Sequence, residues 1–281
     1  MSVTEEQVAF WNGPGGQRWV TEQRDRDAML ESYGNAAIAA ARLAPGNAVL
    51  DVGCGCGTTT LELGGRVGPR GRVLGIDLSQ PMIERARATA LAPHHANLAF
   101  EAGDAGAMAL APAAFDVLFS RFGVMFFADP VTAFAHLRGA LKPGARVAFV
   151  CWRAITENPW AKIPLDATVR EMGSKPEPAD ASAPGPFAFA DRGRVCGMLE
   201  QAGFRDAEAE AFDARVVYGK TALEAAKRVA AMGPAARLLV ERDDATVARV
   251  VARTAEGIAR FEGPEGVAVP GATWVVTARR G

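Results

Sequence analysis

The chain has little of what nucleic-acid binding, metal binding or secretion requires. Its 281 residues include 31 basic and 32 acidic ones, and the resulting net charge of -1 provides no field to gather nucleic acid or an anionic membrane. With only three histidines, and four cysteines that form no Cys-x-x-Cys pair, we predict no metal site. The first residues lack the basic and then apolar order of a secretory signal, and no apolar run reaches the length of a membrane span. We therefore expect a soluble, cytoplasmic protein whose partner is a small molecule, not nucleic acid or membrane.

A glycine-rich stretch separates an apolar run from a predicted helix. Asp51 precedes glycines at positions 53, 55 and 57, and Thr58 begins the helix. Glycines adopt backbone angles closed to other residues and leave room for a ligand on the main chain, while the helix turns free N–H groups toward that ligand. Asp77 ends the next apolar run, where its carboxylate can accept hydrogen bonds from both hydroxyls of a ribose. Together these features predict a nucleoside-binding site.

The spacing of the glycines separates two classes of nucleoside-binding protein. The dinucleotide fingerprint Gly-x-Gly-x-x-Gly would require glycine at position 58, where the chain has Thr58. The pattern acid-x-Gly-x-Gly-x-Gly at 51–57 instead resembles the class I S-adenosylmethionine-dependent methyltransferases. The likeness extends through segments 75–82, 103–105, 115–120 and 141–150, and it suggests the small-molecule type that acts on quinones or secondary metabolites. A nicotinamide-dependent oxidoreductase and a non-catalytic regulator that binds S-adenosylmethionine are the alternatives.

The resemblance implies S-adenosylmethionine as the cofactor and assigns it residues in several loops. Gly53, Gly55 and Gly57 would contact the methionine part, with Asp51 orienting its amino end. Asp77 would hold the ribose, Leu78 and Met82 would flank the adenine, and Asp104 with the backbone of Ala105 would bind the adenine amino edge. Thr58, Gly103 and Ser120 are further cofactor-binding candidates. Asp after Gly is also common in turns, so a turn role is the alternative for Asp104. Trp11 and Trp19 would either close over the cofactor or pack the amino-terminal helix against the sheet.

The alternation of apolar runs and helical patterns predicts an α/β fold with a doubly wound, mostly parallel, seven-stranded Rossmann-like sheet and helical cap insertions. The predicted strands are 48–53, 72–77, 97–101, 115–120 and 145–151, and the predicted helices between them are 58–67, 80–91 and 130–141. Four segments follow: an amino-terminal helical lid (1–44), a cofactor-binding core (45–153), an inserted cap in which prolines break any long helix (154–190), and a carboxyl-terminal completion of the sheet (191–281) with a helical insertion at about 221–262.

The acceptor side of the predicted site lies after the fourth and fifth strands, because ligands bind at the carboxyl ends of strands in such sheets. The candidates there are Arg121, Phe122, Trp152 and Arg153. Arg121 could bind an acceptor carboxylate or phosphate, or it could form an ion pair within the protein. Methyl transfer is expected to be a direct in-line displacement catalysed mainly by positioning, so no catalytic residue is assigned. The oligomeric state is open, with a homodimer as one candidate.

Overall fold

The computed structural model describes residues 3–91, 95–173, 183–240 and 242–281. Within these, the chain forms two compact units. The first consists of Met1–Cys151, Pro184–Phe212 and Trp274–Gly281, and the second of Trp152–Ala183 and Asp213–Thr273. The predicted cap at 154–190 thus divides between the units, and the helical insertion belongs to the second. Pro176 and Pro178 of that cap lie outside the described residues.

The sheet is mostly parallel, as predicted. Its strands are β1 (Ala48–Val52), β2 (Arg72–Asp77), β3 (Leu98–Ala102), β4 (Phe115–Arg121), β5 (Leu141–Trp152), β6 (Phe204–Val217), β7 (Glu262–Gly263) and β8 (Gly266–Arg280). They are arranged in the order β3-β2-β1-β4-β5-β8-β6, with β7 paired to β8. The pairs β1–β2, β2–β3, β1–β4 and β4–β5 are parallel. The order reverses beside β1, and this places a crevice at the carboxyl ends of β1 and β4.

Local sequence accounts for the buried strands and for the starts of several helices. All five residues of β1 are buried, as expected for a strand covered on both faces. The first unit's helices after β1 are α4 (Thr58–Val67), α5 (Gln80–Thr89), α6 (Pro130–Ala140) and α8 (Arg192–Gln201). Side-chain caps define several starts: the Ser79 hydroxyl accepts a hydrogen bond from the Met82 N–H at 3.5 Å, and the Asp129 carboxylate accepts one from the Thr132 N–H at 3.1 Å. The cap at Ser79 starts α5 immediately after β2 and so fixes the loop that follows Asp77.

The amino-terminal segment is helical throughout its described residues, in α1 (Val3–Asn12), α2 (Pro14–Thr21) and α3 (Gln23–Ala41). Residues 14–21 are helical although they include one proline and two glycines. Pro14 occupies the first turn of α2, where its missing N–H costs nothing and its fixed φ favours a helix. The glycines therefore lie within or next to helices, and the break between α1 and α2 is confined to Gly13.

The second unit contains α7 (Pro159–Met172), α9 (Ala222–Ala230), α10 (Gly233–Leu239) and α11 (Asp244–Ile258). The prediction that prolines break any long helix at 154–190 is wrong for α7. Pro159 lies at its first position and Pro164 lies inside the helix, where the Thr168 hydroxyl donates to the Pro164 carbonyl oxygen at 2.8 Å. Pro164 has no N–H to donate to the Trp160 carbonyl oxygen, yet α7 continues past it to Met172.

Candidate functional site

The glycine turn after β1 uses left-handed backbone angles at all three glycines: φ is 70° at Gly53, 57° at Gly55 and 86° at Gly57. Two of them are required by packing within the protein. A Cβ at Gly53 would lie 2.6 Å from the Gly123 Cα, and one at Gly57 would lie 2.9 Å from the Ala86 Cβ. These two glycines therefore allow the turn to approach β4 and α5 closely.

Gly55 is the member of the turn at which a Cβ would make no close contact. A Cβ there would have as its nearest neighbours the Trp19 Nε1 at 3.6 Å and the Met82 Sδ at 3.8 Å, both ordinary contact distances. A ligand lying against this part of the main chain would thus have an indole on one side and a thioether on the other. Of the three predicted glycine contacts, the geometry favours Gly55 as the direct one.

Asp77 is held by two backbone groups at the end of β2. Its Oδ2 accepts a hydrogen bond from the Gly55 N–H at 2.8 Å, and its Oδ1 accepts one from the Ser79 N–H at 2.8 Å. The residue is 8% exposed, and burial raises the pKa of the carboxyl while these two hydrogen bonds oppose the shift. Each oxygen keeps a second lone pair for another donor. Asp77 thus fixes the glycine turn and retains capacity to bind hydroxyl groups.

Asp51 faces the interior, and part of it serves the protein's own structure. Its Oδ2 accepts hydrogen bonds from the hydroxyls of Thr59 at 3.0 Å and Thr60 at 2.7 Å, which fastens the first turn of α4 to β1. Its Oδ1 is buried without a hydrogen-bond partner among the described residues. Burial raises the pKa of Asp51 to about 6, against the opposing effect of the two threonine hydroxyls. The predicted contact to the cofactor's amino end would have to use Oδ1.

Ser120 and Thr58 donate their hydroxyl protons within the protein. The Ser120 hydroxyl donates to the Val52 carbonyl oxygen at 2.7 Å and accepts from the Gly123 N–H at 3.1 Å, so it joins the ends of β1 and β4. The Thr58 hydroxyl donates to the Asp27 Oδ2 at 2.5 Å. Both residues lie at the predicted place, and in the structure they hold its loops together.

The loops after β2 and β3 contain the predicted adenine residues. The Gly103 N–H donates to the Asp77 carbonyl oxygen at 2.9 Å, which brings the two loops together. Asp104 forms the turn that was its alternative role, since its Oδ1 accepts from the Gly106 N–H at 2.8 Å. Met82 and Ala105 are buried at 3% and 6% exposure, and Leu78 is half-buried.

The amino-terminal helices pack over the loop that follows β2. The Trp11 carbonyl oxygen accepts from the Ser79 hydroxyl at 2.7 Å, and the Asn12 side chain donates to the Leu78 carbonyl oxygen at 3.0 Å. The rings of Trp11 and Trp19 meet edge to face at 6.3 Å between centroids. The two rings thus pack on each other, while the Trp19 Nε1 also lies beside Gly55, so both alternatives for these tryptophans stay open. Sequence reasoning missed Asn12, because nothing local marks a side chain whose partner is 66 positions away.

Arg121 forms an ion pair, which was one of the two roles open to it. Its Nη2 donates to the Asp27 Oδ1 at 2.5 Å, and the side chains of Arg121 and Asp27 are 10% and 15% exposed. The next residue, Phe122, has a left-handed backbone at φ 63° and packs its ring edge to face on Tyr33 at 5.8 Å. The end of β4 thus carries a neutralised cation followed by a buried aromatic pair.

Trp152 and Arg153 belong to the second unit. Trp152 packs against Trp160 with ring centroids 4.9 Å apart, and the Arg153 Nη1 donates to the Asp213 carboxylate at 2.9 Å. The other terminal nitrogen of Arg153 pairs with Glu157. The structure therefore does not group all four acceptor candidates in one unit.

The cysteines of the glycine turn are buried free thiols. Burial raises the pKa of Cys56 to about 12 and that of Cys54 well above its ordinary value, so both resist becoming thiolates. Across the described ranges, no three His, Cys, Asp or Glu side chains are grouped to hold a metal ion. Within those same ranges, no helix is long and apolar enough to cross a bilayer.

The family comparison matches the part of the chain that holds these loops. The methyltransferase domain family matches residues 49–144, from β1 into β5, which include the glycine turn, Asp77 and the end of β4. Residues 49–144 therefore match a methyltransferase domain.

Curated methyltransferases are similar to part of this chain. Demethylmenaquinone methyltransferase of Lactococcus lactis is 35% identical over 105 residues, 37% of this chain and 42% of that protein. Nocamycin O-methyltransferase of Saccharothrix syringae is 31% identical over 169 residues, 57% of this chain and 60% of that protein. The chain thus spans about half the length of the curated relatives it matches. A solved structure, BH2331 of Bacillus halodurans, has a TM-score of 0.58 at 20% identity and covers 89% of this chain and 99% of that one, a likeness that establishes the fold.

Proposed function

We propose that this protein transfers a methyl group from S-adenosylmethionine to a small-molecule acceptor. The observation that carries the proposal is the pairing of Asp77 with the Gly55 N–H at 2.8 Å, because it sets a buried carboxylate beside the one glycine of the turn at which a Cβ would make no close contact within the protein. Backbone and carboxylate together suit a ribose and the amino-acid part of an adenosyl compound.

The residues present fit such a cofactor. The space beside Gly55 is bordered by the Trp19 indole and the Met82 thioether, both suited to apolar contact. Asp77 retains lone pairs for ribose hydroxyls, and the buried Oδ1 of Asp51 can accept from an ammonium group. Binding a cation there would also favour the charged form of Asp51, whose burial otherwise raises its pKa.

S-adenosylmethionine, when bound, supplies a methyl carbon already activated by a sulfonium. The protein's contribution is then chiefly to orient the reactants and exclude water, and alignment of two reactants is worth about 7 to 11 kcal/mol in favourable model systems. An acceptor whose nucleophilic atom holds its proton tightly would also require a general base. We assign none of the described side chains to that role.

A small acceptor accords with the chain's charge and with its relatives. A net charge of -1 provides little attraction for nucleic acid. The names of the two curated relatives describe methylation of demethylmenaquinone and of a nocamycin compound, which are both small molecules. We extend that class of acceptor to this protein and leave open which atom receives the methyl group.

Thermal unfolding with S-adenosylhomocysteine tests the cofactor part of the proposal. A ligand that binds only the folded state raises the Tm. At a concentration 100 times its Kd, it stabilises the folded state by about 2.7 kcal/mol. Asp77→Ala should abolish most of that shift, because it removes the acceptor for the ribose and releases the Gly55 N–H. No shift in the unsubstituted protein at millimolar ligand would refute the proposal.

Asp116→Ala is the matched control. Asp116 also accepts from a backbone group, the Ala48 N–H at 2.8 Å, but it does so near the starts of β1 and β4, at the opposite edge of the sheet. This variant should lower the Tm and keep the full shift with ligand. Incubation with radiolabelled S-adenosylmethionine and a panel of phenols, quinols and carboxylic acids then tests catalysis. Binding without transfer to any acceptor would favour a non-catalytic binding protein.

A further inference from the structure

One face of α3 contacts three separate elements around the cofactor site. Gln23 and Asp27 lie four residues apart, so their side chains project from the same face of the helix. The side chains they contact are Thr58 at the start of α4, Arg85 on α5, and Arg121 at the end of β4. None of these contacts was predicted from the sequence, and none belongs to the methyltransferase segment alone, because α3 precedes it.

Asp27 connects α4 and β4 through its two carboxylate oxygens. Oδ2 accepts from the Thr58 hydroxyl at 2.5 Å, and Oδ1 accepts from the Arg121 Nη2 at 2.5 Å. Thr58 directly follows Gly57, whose φ of 86° ends the glycine turn. A charge-assisted hydrogen bond therefore holds the first residue of α4 at the point where the turn becomes a helix.

Gln23 extends the connection to α5. Its Nε2 donates to the Thr58 hydroxyl oxygen at 3.2 Å, and its Oε1 accepts from the Arg85 Nε at 3.0 Å. Thr58 thus donates to one residue of α3 and accepts from another, which fixes the rotation of its side chain. The five residues form one continuous chain of hydrogen bonds from β4 to α5.

We propose that Asp27 and Thr58 are positioning residues that hold the glycine turn in the conformation that binds the cofactor. This inference rests on the proposed function, since it concerns the affinity of that same site. The turn has three left-handed glycines and so has many other accessible conformations when it is not restrained. Restraint at Thr58 selects among these before the ligand binds, and its loss lowers the population that can bind.

The hydroxyl of Thr58 provides the sharpest test, because two substitutions separate it from the methyl group. Thr58→Val keeps the shape and loses both hydrogen bonds, while Thr58→Ser keeps the hydroxyl and loses the methyl group. We expect calorimetry to show about tenfold weaker binding of S-adenosylhomocysteine in Thr58→Val and binding within about twofold of the unsubstituted protein in Thr58→Ser. Equal affinity in Val and Ser variants would overturn the proposal.

A double-mutant cycle then tests whether Asp27 acts through Thr58. Asp27→Asn removes the charge, and its effect on the Kd should be largely lost when Thr58 is already Val, because the shared bond is absent. Additive effects on the Kd would show that the two residues act separately. Asp25→Asn is the matched control, with the same chemical change at an exposed position in the first turn of α3, and it should leave the Kd unchanged.

Two measurements distinguish positioning from stability alone. If Asp27→Asn fails to fold, because it leaves Arg121 buried without its partner, Thr58→Val keeps that ion pair and decides the question. With an acceptor that the protein methylates, Thr58→Val should have a higher KM for S-adenosylmethionine, while its kcat at saturation stays within about twofold of that of the unsubstituted protein. A variant with a lower Tm whose Kd, measured at a temperature well below that Tm, is unchanged would contradict the positioning role. A lack of ligand binding by the unsubstituted protein would instead refute the proposed function.

Discussion

Asp51 and Asp77 of the first unit and Asp243 of the second show two different uses of a carboxylate. In the first unit, carboxylates such as Asp51 and Asp77 are buried and accept from groups of the glycine turn and of α4. In the second unit, Asp243 is exposed and caps α11 by accepting from the Thr246 N–H at 2.9 Å. The first arrangement costs stability, whereas the second contributes to it.

Glycines show the same contrast. Gly53 in the first unit and Gly173 in the second both have left-handed angles, at φ 70° and 67°. A Cβ at Gly53 would collide with the Gly123 backbone, whereas one at Gly173 would meet nothing within 4 Å. The difference teaches that glycine at position 53 is required for the close approach of two backbone segments, whereas at position 173 it is required only for the left-handed angle that ends a helix.

Gly53→Ala should therefore have the largest effect. We expect it to lower the free energy of unfolding by about 3 to 4 kcal/mol, since backbone strain adds to a contact that only backbone movement can relieve. Gly173→Ala should cost about 1 to 2 kcal/mol, from strain alone. Urea denaturation of both variants measures the comparison, and equal costs would show that the close contact to Gly123 is unimportant.

The pH dependence of stability should distinguish Asp51 from Asp243. Burial raises the pKa of Asp51 from its ordinary 3.8 to about 6, so the folded protein binds this proton more tightly than the unfolded chain. The resulting contribution is fully present below pH 3.8 and is lost as the pH rises through 6, a change of about 3 kcal/mol. Asp51→Asn should remove this fall from the unfolding profile between pH 4 and 7.

Asp243 should behave in the opposite sense. Hydrogen bonds from Thr246 lower the pKa of its carboxyl, so its contribution is present at neutral pH and is lost as the pH falls through the folded-state pKa. Comparing each Asn variant with the unsubstituted protein cancels the other carboxylates. Difference profiles of the same sign for Asp51→Asn and Asp243→Asn would contradict the assigned roles.

Features that local sequence determines could be predicted, whereas features that depend on tertiary contacts could not. Helix 58–67 and strand 72–77 have the predicted bounds, because an apolar run or a glycine marks each end. β5 was expected from residue 145 and begins at Leu141, since pairing with β4 extends it through Pro143 and Gly144. α7 was missed because prolines were expected to break any long helix there, whereas Pro159 lies in the first turn and Pro164 is accommodated inside the helix.

The candidate site was predictable in its positions and unpredictable in its partners. Asp77 could be placed at the end of a strand from spacing alone, but its bond to the Gly55 N–H depends on how the turn folds back. Asp27 was missed because its partners Thr58 and Arg121 lie 31 and 94 positions away and no local pattern marks a helix face that contacts them. Such contacts arise from tertiary structure.

The smallest effect should come from an exposed ion pair of the second unit. The Lys162 Nζ lies 2.7 Å from the Asp166 Oδ2, as close as many buried pairs, but the side chains are 40% and 53% exposed. Water screens this pair and competes for both groups, whereas the Asp27–Arg121 pair of the first unit is shielded. Lys162→Ala should change the free energy of unfolding by less than about 0.5 kcal/mol, and 1 M salt should remove most of that difference. A cost above about 1 kcal/mol, insensitive to salt, would show that distance rather than burial determines the strength of ion pairs in this protein.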